Sequence, residues 1–288
     1  MLTQQQNTPM NLADLLHQTF MQHALIASLL VSITCGVIGA LVVVNRLIFM
    51  AGGIAHTAYG GVGLAFFLGA PVLPTAGLFT AGAAVILGTL TQTKRERTDT
   101  LIGVIWAAGM AFGIIMINLT PGYNVGLMSY LFGSILTVPA HDLWVMLGID
   151  VVIVGLTLFF YRDILSFSFD PDFARSRGIP VRWLYFMLLI MVAEAVVMMI
   201  QVVGLILVIA LLTLPPYLAE RHTKSLVGLM VASGVWSLVF CVGGLAVAYQ
   251  FDLSSGASII ATACAIYLMF IAGQTGWQWL RAQTQTPA

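Results

Sequence analysis

Charge is what this chain has least of. Eleven basic and eleven acidic residues together make up 8% of its 288 positions, against roughly 25% in an ordinary soluble domain. So few charges cannot build the polar shell that a water-soluble chain of this length needs. Lysine is scarcest. Lys94 and Lys224 each follow a threonine, so no G-x-x-x-x-G-K-[ST] phosphate loop is present and ATP hydrolysis by this chain is not expected. Neither H-E-x-x-H nor G-x-S-x-G occurs, which argues against an intramembrane protease. Cysteine is limited to Cys35, Cys241 and Cys264. None has disulfide or metal-knuckle spacing, and all three fall in apolar blocks, so they read as small buried hydrophobes. Residues 1–19 contain no Lys or Arg, so the charged start of a cleavable signal is missing. They read as a polar tail with an interfacial helix near 12–17.

Apolar residues are abundant, 60% of the chain, and they come in long blocks rather than stripes. Blocks of about 18 or more apolar residues read as bilayer-spanning helices. They run over 24–44, 47–69, 72–91, 100–118, 143–161, 183–200, 202–219, 226–248 and 257–274. The fold class is therefore all-α, a polytopic integral membrane protein of about nine transmembrane helices in a single domain over 1–288. The shorter apolar piece 125–138 reads as re-entrant or interfacial. Pro215 and Pro216, late in the seventh block, are expected to break or kink it. Glycines in the second and eighth blocks, such as Gly60, Gly61 and Gly243, allow helices to approach closely in lipid.

The basic residues then set the orientation. Arg46, Lys94, Arg95 and Arg97, the four arginines between 162 and 182, Arg221, Lys224 and Arg281 all fall on one side of a nine-span chain. Basic residues concentrate in cytoplasmic loops, so the N-terminus is expected outside and the C-terminus in the cytoplasm.

Three titratable residues lie at membrane depth. His56 is ten residues past Arg46, roughly 15 Å deep at 1.5 Å per residue. Glu194 sits near the middle of the sixth block, and Asp150 well inside the fifth. Such residues face protein or water and often mark a transport path. Positions 52, 56 and 60 share a helix face and two are glycine, leaving a smooth groove where an imidazole can meet an ion. Glu194 reads equally as a pathway ligand or a structural carboxyl, and Asp150 as structural. In the loop 162–182, Asp170 caps a short helix with Pro171 at its first position, Asp172 in its first turn, and Gly178 at its end. Outside the membrane such a helix is a natural docking element for a cytoplasmic partner.

Five stretches now resemble one family in order: 46–69 (RLIFMAGGIAHTAYGGVGLAFFLG), 130–136 (YLFGSIL), 169–178 (FDPDFARSRG), 203–219 (VGLILVIALLTLPPYLA) and 255–259 (SGASI). Together they resemble the permease subunit of bacterial ABC-type zinc/manganese/iron importers, over about residues 24–274. The resemblance implies a multi-pass permease of the bacterial inner membrane that pairs with a second copy. It also implies a cytoplasmic ATP-binding subunit as partner and an extracytoplasmic metal-binding protein that delivers the ion. No tightly bound cofactor is implied, only a transported divalent metal, with zinc the first expectation and manganese or iron open. In relatives the helix matched by Asp170, Pro171, Ala174 and Gly178 sits in a groove of the ATPase. Relatives also carry Gly-Asp-x-x-x-His in the second span. This chain keeps the histidine as His56, a transient metal ligand, while Gly52 stands where the aspartate is expected. Glu194 is the candidate to compensate. The rival reading is a proton-coupled secondary transporter with Asp150 and Glu194 as relay.

Overall fold

The computed structural model describes residues 18–93, 97–121, 133–205 and 208–284, with side chains described to residue 274. The polar tail, the interfacial helix near 12–17 and most of the 125–138 piece lie outside these residues. Among the described residues the chain is helical, and eight helices are long and apolar enough to cross a membrane. They are α1 (Thr19–Val44), α2 (Ile48–Leu68), α3 (Val72–Thr93), α4 (Thr98–Asn118), α5 (Ala140–Phe159), α8 (Val181–Val203), α10 (Leu226–Phe251) and α11 (Ser255–Thr284). Two short helices, α6 (Tyr161–Phe169) and α7 (Pro171–Ser176), join α5 to α8.

The seventh block differs from its sequence reading. It is a 13-residue helix, α9 (Val208–Glu220), about 20 Å long at 1.5 Å per residue, shorter than a hydrocarbon core of about 30 Å. Gly204, with φ of 86°, ends α8 before α9 begins. The proline pair does not stop α9, which runs through Pro215 and Pro216 to Glu220. A proline at 216 leaves the Leu212 carbonyl without its helical donor. Gly39 packs its bare backbone there, since a Cβ on it would lie 2.8 Å from Leu212 O. Gly39 closes a π-helical turn, Cys35–Gly39, within α1.

The seam of α2 on α4 is made of glycine. A Cβ on Gly60 would meet Gly109 O at 2.8 Å, and one on Gly63 would meet Gly113 O at 2.4 Å. Because lipid supplies no hydrophobic drive between helices, close backbone approach of this kind is what holds them. Glycine packing was the sequence reading for these positions. Cys35 and Cys241 are buried as expected, but Cys264 is exposed on the outside of the bundle. Its position in an apolar block gave no sign of which way it faces.

The two ends of the bundle have different chemistry. At one end a single cavity brings together Arg46 after α1, Thr91 and Gln92 late in α3, Thr98 opening α4, Arg175 in α7 and Arg182 opening α8. At the other end Gln201 donates to Asp142, Ser134 N donates to Gln201 O, and Ile135 N donates to Ser255 Oγ. Arginines far apart in sequence thus share one face, the arrangement expected when basic loops stay on one side of a membrane.

Candidate functional site

His56 lies on the face of α2 turned toward α4. Its imidazole stacks on the indole of Trp106, with ring centroids 3.9 Å apart and planes 8° from parallel. Trp106 is held in turn by its Nε1, which donates to Met110 Sδ at 3.2 Å, one turn along α4. His56 Nδ1 is buried with no hydrogen-bond partner among the described residues. A ring fixed by stacking with an unclaimed nitrogen suits transient coordination, because no existing bond must be broken first.

One turn from His56, Gly52 borders a groove of about 380 Å³ whose other walls include Phe49, Trp106 and Ile209. The absence of a side chain at Gly52 keeps this groove open beside the stack, with Ile209 Cδ1 3.0 Å from where a Cβ would stand. Gly60 does not extend it. That glycine is consumed by the α2–α4 seam, so the smooth face expected over 52, 56 and 60 survives only over its first turn.

Glu194 is placed elsewhere. On α8 it lies over Gly77 of α3, with Oε2 2.6 Å from the position of a Cβ there. It also borders an apolar groove of about 810 Å³ between α5 and α8, walled by Ile149, Val152, Phe186 and Ile190. The structure therefore puts His56 and Glu194 on different grooves and does not bring them together within one chain. Among the described residues no group of three or more His, Cys, Asp or Glu is arranged to hold a metal ion. Asp150 is buried between α5, α1 and α8, where it accepts a hydrogen bond from Thr34 Oγ1. Thr34 Oγ1 also reaches Met198 Sδ at 3.6 Å.

The short helix α7 forms as its sequence dictates. Asp170 Oδ1 accepts from Asp172 N at 3.0 Å and Phe173 N at 2.9 Å, satisfying two of the free donors of the first turn. At the far end Gly178 N donates to Arg175 O and Ile179 N to Ala174 O. This is the paired closure that needs a left-handed residue, and Gly178 takes φ of 78°. Ala174 is fully buried against the protein, whereas Phe169 and Phe173 are exposed at 72% and 50%. Two aromatic rings are thus held outward beside a rigid helix.

Sequence reasoning missed Trp106. Its partnership with His56 joins two helices 50 positions apart, and no local pattern signals it. Asp142 and Gln201 were missed for the same reason.

A family profile described as the ABC 3 transport family matches residues 17–274. The chain is 47% identical over 257 residues to an uncharacterized membrane protein of Synechocystis sp., covering 89% of this chain and 92% of that one. It is 32% identical to a manganese transport system membrane protein of Halalkalibacterium halodurans, covering 89% and 88%. Its fold matches PsaBC of Streptococcus pneumoniae, solved in complex with a Fab, at a TM-score of 0.82 and 30% identity, covering 89% and 92%.

Proposed function

The chain belongs to the ABC 3 transport family, and from that premise we propose that it imports manganese as the membrane-spanning subunit of an ATP-driven transporter. The chain is a multi-pass permease of a bacterial metal importer. Zinc was the first expectation from the motifs. The names of relatives across several bacteria favour manganese instead, so manganese takes its place here. The observation that carries the reading is the family match over 17–274, together with α7, which this chain forms outside its long apolar helices.

In this reading the arginine-bearing end faces the cytoplasm, and α1, which ends beside Arg46, starts on the outer side. A cytoplasmic ATP-binding subunit seats α7, with Asp170, Pro171, Ala174 and Gly178 setting its shape and Phe173 offering an apolar contact. An extracytoplasmic binding protein hands over the ion, and a second copy of the chain completes the path. His56 lines that path from the Gly52 groove. Glu194 is the second candidate on it, reached from the α5–α8 groove. Because one histidine is a weak site for a divalent ion, ligands from the second copy or from water complete the coordination as the ion passes.

The test is uptake of radioactive manganese by cells that carry the chain with its ATP-binding and binding-protein partners. Uptake is expected to need all three, to be competed by excess unlabelled manganese more than by zinc, and to fail in His56→Ala. Manganese uptake that persists without the ATP-binding subunit, or that survives unchanged in His56→Ala at normal expression, would remove the corresponding part of the reading. The first of those results would restore the proton-coupled alternative.

A further inference from the structure

The cavity at the arginine-bearing end lies beside α7 but is not part of the ion path described above. It measures about 840 Å³, within the size range of small-molecule sites. Arg46, Arg175 and Arg182 all line it, and among the described residues no aspartate or glutamate does. Arg175 is occupied, holding Asp172 Oδ1 at 2.7 Å. Arg46 and Arg182 have no carboxylate partner among the described residues, where the only arginine ion pair is that of Arg175. Arg182 lies 5.9 Å from the Phe186 ring, which leaves its guanidinium donors free for an anion.

The rest of the lining mixes apolar residues such as Leu47, Phe167 and Val181 with polar ones, and several of the polar ones are held in place. Asn45 Nδ2 donates to Leu41 O at 2.8 Å and to Ser168 Oγ at 3.0 Å, tying the end of α1 to α6 across one wall. Thr91 Oγ1 meets Tyr185 OH at 3.3 Å and ties α3 to α8 across another. Arg46 takes a left-handed backbone, φ of 57°, an uncommon conformation for a side chain of this kind. It places a long cationic side chain at the corner between α1 and α2. The site lies at the ends of spanning helices, the depth at which phospholipid phosphates sit.

We propose that this cavity binds a phosphate-bearing anion, held by Arg46 and Arg182 together. Two guanidinium groups without a carboxylate partner among the described residues present N–H donors that match the oxygens of a phosphate. The phosphate can come from an anionic lipid headgroup or from free phosphate in the cytoplasm, and the two sources are separable. Arg46 also borders the groove beside His56, so a bound anion lowers the positive potential at that groove's mouth. That consequence rests on the transport reading, whereas the binding itself does not.

The experiment is native mass spectrometry of the full chain released from nanodiscs of mixed phosphatidylglycerol and phosphatidylcholine, with thermal unfolding in inorganic phosphate alongside. Wild type is expected to retain phosphatidylglycerol in preference to phosphatidylcholine. The Arg46→Gln/Arg182→Gln variant should lose that preference by about tenfold or more, the scale of a charge-assisted hydrogen-bond pair. Arg162→Gln, outside the lining, should keep it. The single variants Arg46→Gln and Arg182→Gln serve if the double variant fails to fold. Displacement of the lipid by inorganic phosphate, with a matching rise in melting temperature, assigns the site to free phosphate. Retention of the lipid under the same titration assigns it to the headgroup. Equal lipid retention and equal phosphate stabilisation in wild type and variants would overturn the proposal. So would a wild type that binds neither probe while the variants lose only their ATP-binding partner, which would make the cavity a protein contact.

Discussion

The carboxylate of Glu194 occupies the space that a side chain at position 77 would fill, with Oε2 2.6 Å from where that Cβ would stand. A methyl group at Gly77 must therefore push the carboxylate aside. Gly77→Ala should lower stability by about 1–3 kcal/mol, the usual scale of overpacking. In a Glu194→Ala background the obstacle is gone, and the same substitution should then be near neutral, a coupling that a double-mutant cycle reads directly. Thermal unfolding of the four proteins in one detergent checks this. Additive losses would show that Gly77 serves the α3 backbone rather than the carboxylate.

Trp106 should matter to transport through the ring it positions. Trp106→Ala removes the 3.9 Å stack on His56 and leaves the imidazole free to rotate, so manganese uptake should fall several-fold with His56 intact. Trp106→Phe keeps an aromatic face and should retain most of the uptake. Initial rates at matched expression distinguish the two. An alanine variant with full uptake would mean that the stack is packing alone.

How much of this was legible in the sequence depends on the range of the signal. The spans follow from block length and hydropathy, and α7 from four residues within nine positions, Asp170 to Gly178. Both signals are local: among the described residues eight of the nine blocks form long apolar helices, and α7 forms as read. The break before α9 falls at Gly204 rather than near 201, where blocks 183–200 and 202–219 divide, because residues on each side of Gly204 are equally apolar and hydropathy does not mark where the backbone turns. The pairing of His56 with Trp106 and the separation of His56 from Glu194 depend on helix rotation and neighbour choice. With apolar residues on every face, no amphipathic stripe records which way a helix is turned. The glycines at 60 and 63 marked a close seam without saying that its partners are Gly109 and Gly113.

Asp150 should be a structural residue, and Thr34 should be its measure. Thr34 Oγ1 donates to Asp150 across α1 and α5, next to the π-helical turn. Thr34→Val keeps shape and removes the donor, which should cost about 0.6–2 kcal/mol, the range for side-chain hydrogen bonds between helices in membranes. Asp150→Asn keeps an acceptor for the hydroxyl and should cost less than Asp150→Ala. Manganese uptake per folded molecule should be unchanged in all three. Loss of uptake in a stable Asp150→Asn protein would move this residue from the framework to the path.

The helix α7 separates stability from partnership. Asp170→Ala removes the two bonds to Asp172 N and Phe173 N and should cost about 1 kcal/mol of local helix stability, as loss of such a cap usually does. Gly178→Ala forces a φ of 78° on a residue with a Cβ and should fray the other end by a similar amount. Neither change touches a spanning helix, so the chain should still insert and fold. Phe173, by contrast, is half-exposed, and its contact with Arg177, 5.2 Å from the ring centroid, is a small, solvent-exposed one. Phe173→Ala should leave melting unchanged yet reduce co-purification of the ATP-binding subunit, because an aromatic anchor seated in a partner's pocket carries a large share of binding energy. The three variants are compared by pull-down at equal permease levels. If Asp170→Ala and Gly178→Ala weaken the complex in step with Phe173→Ala, α7 presents the ring as a rigid unit. If only the bulk permease stability changes and the complex holds, the helix is a connector and its aromatic face has no partner.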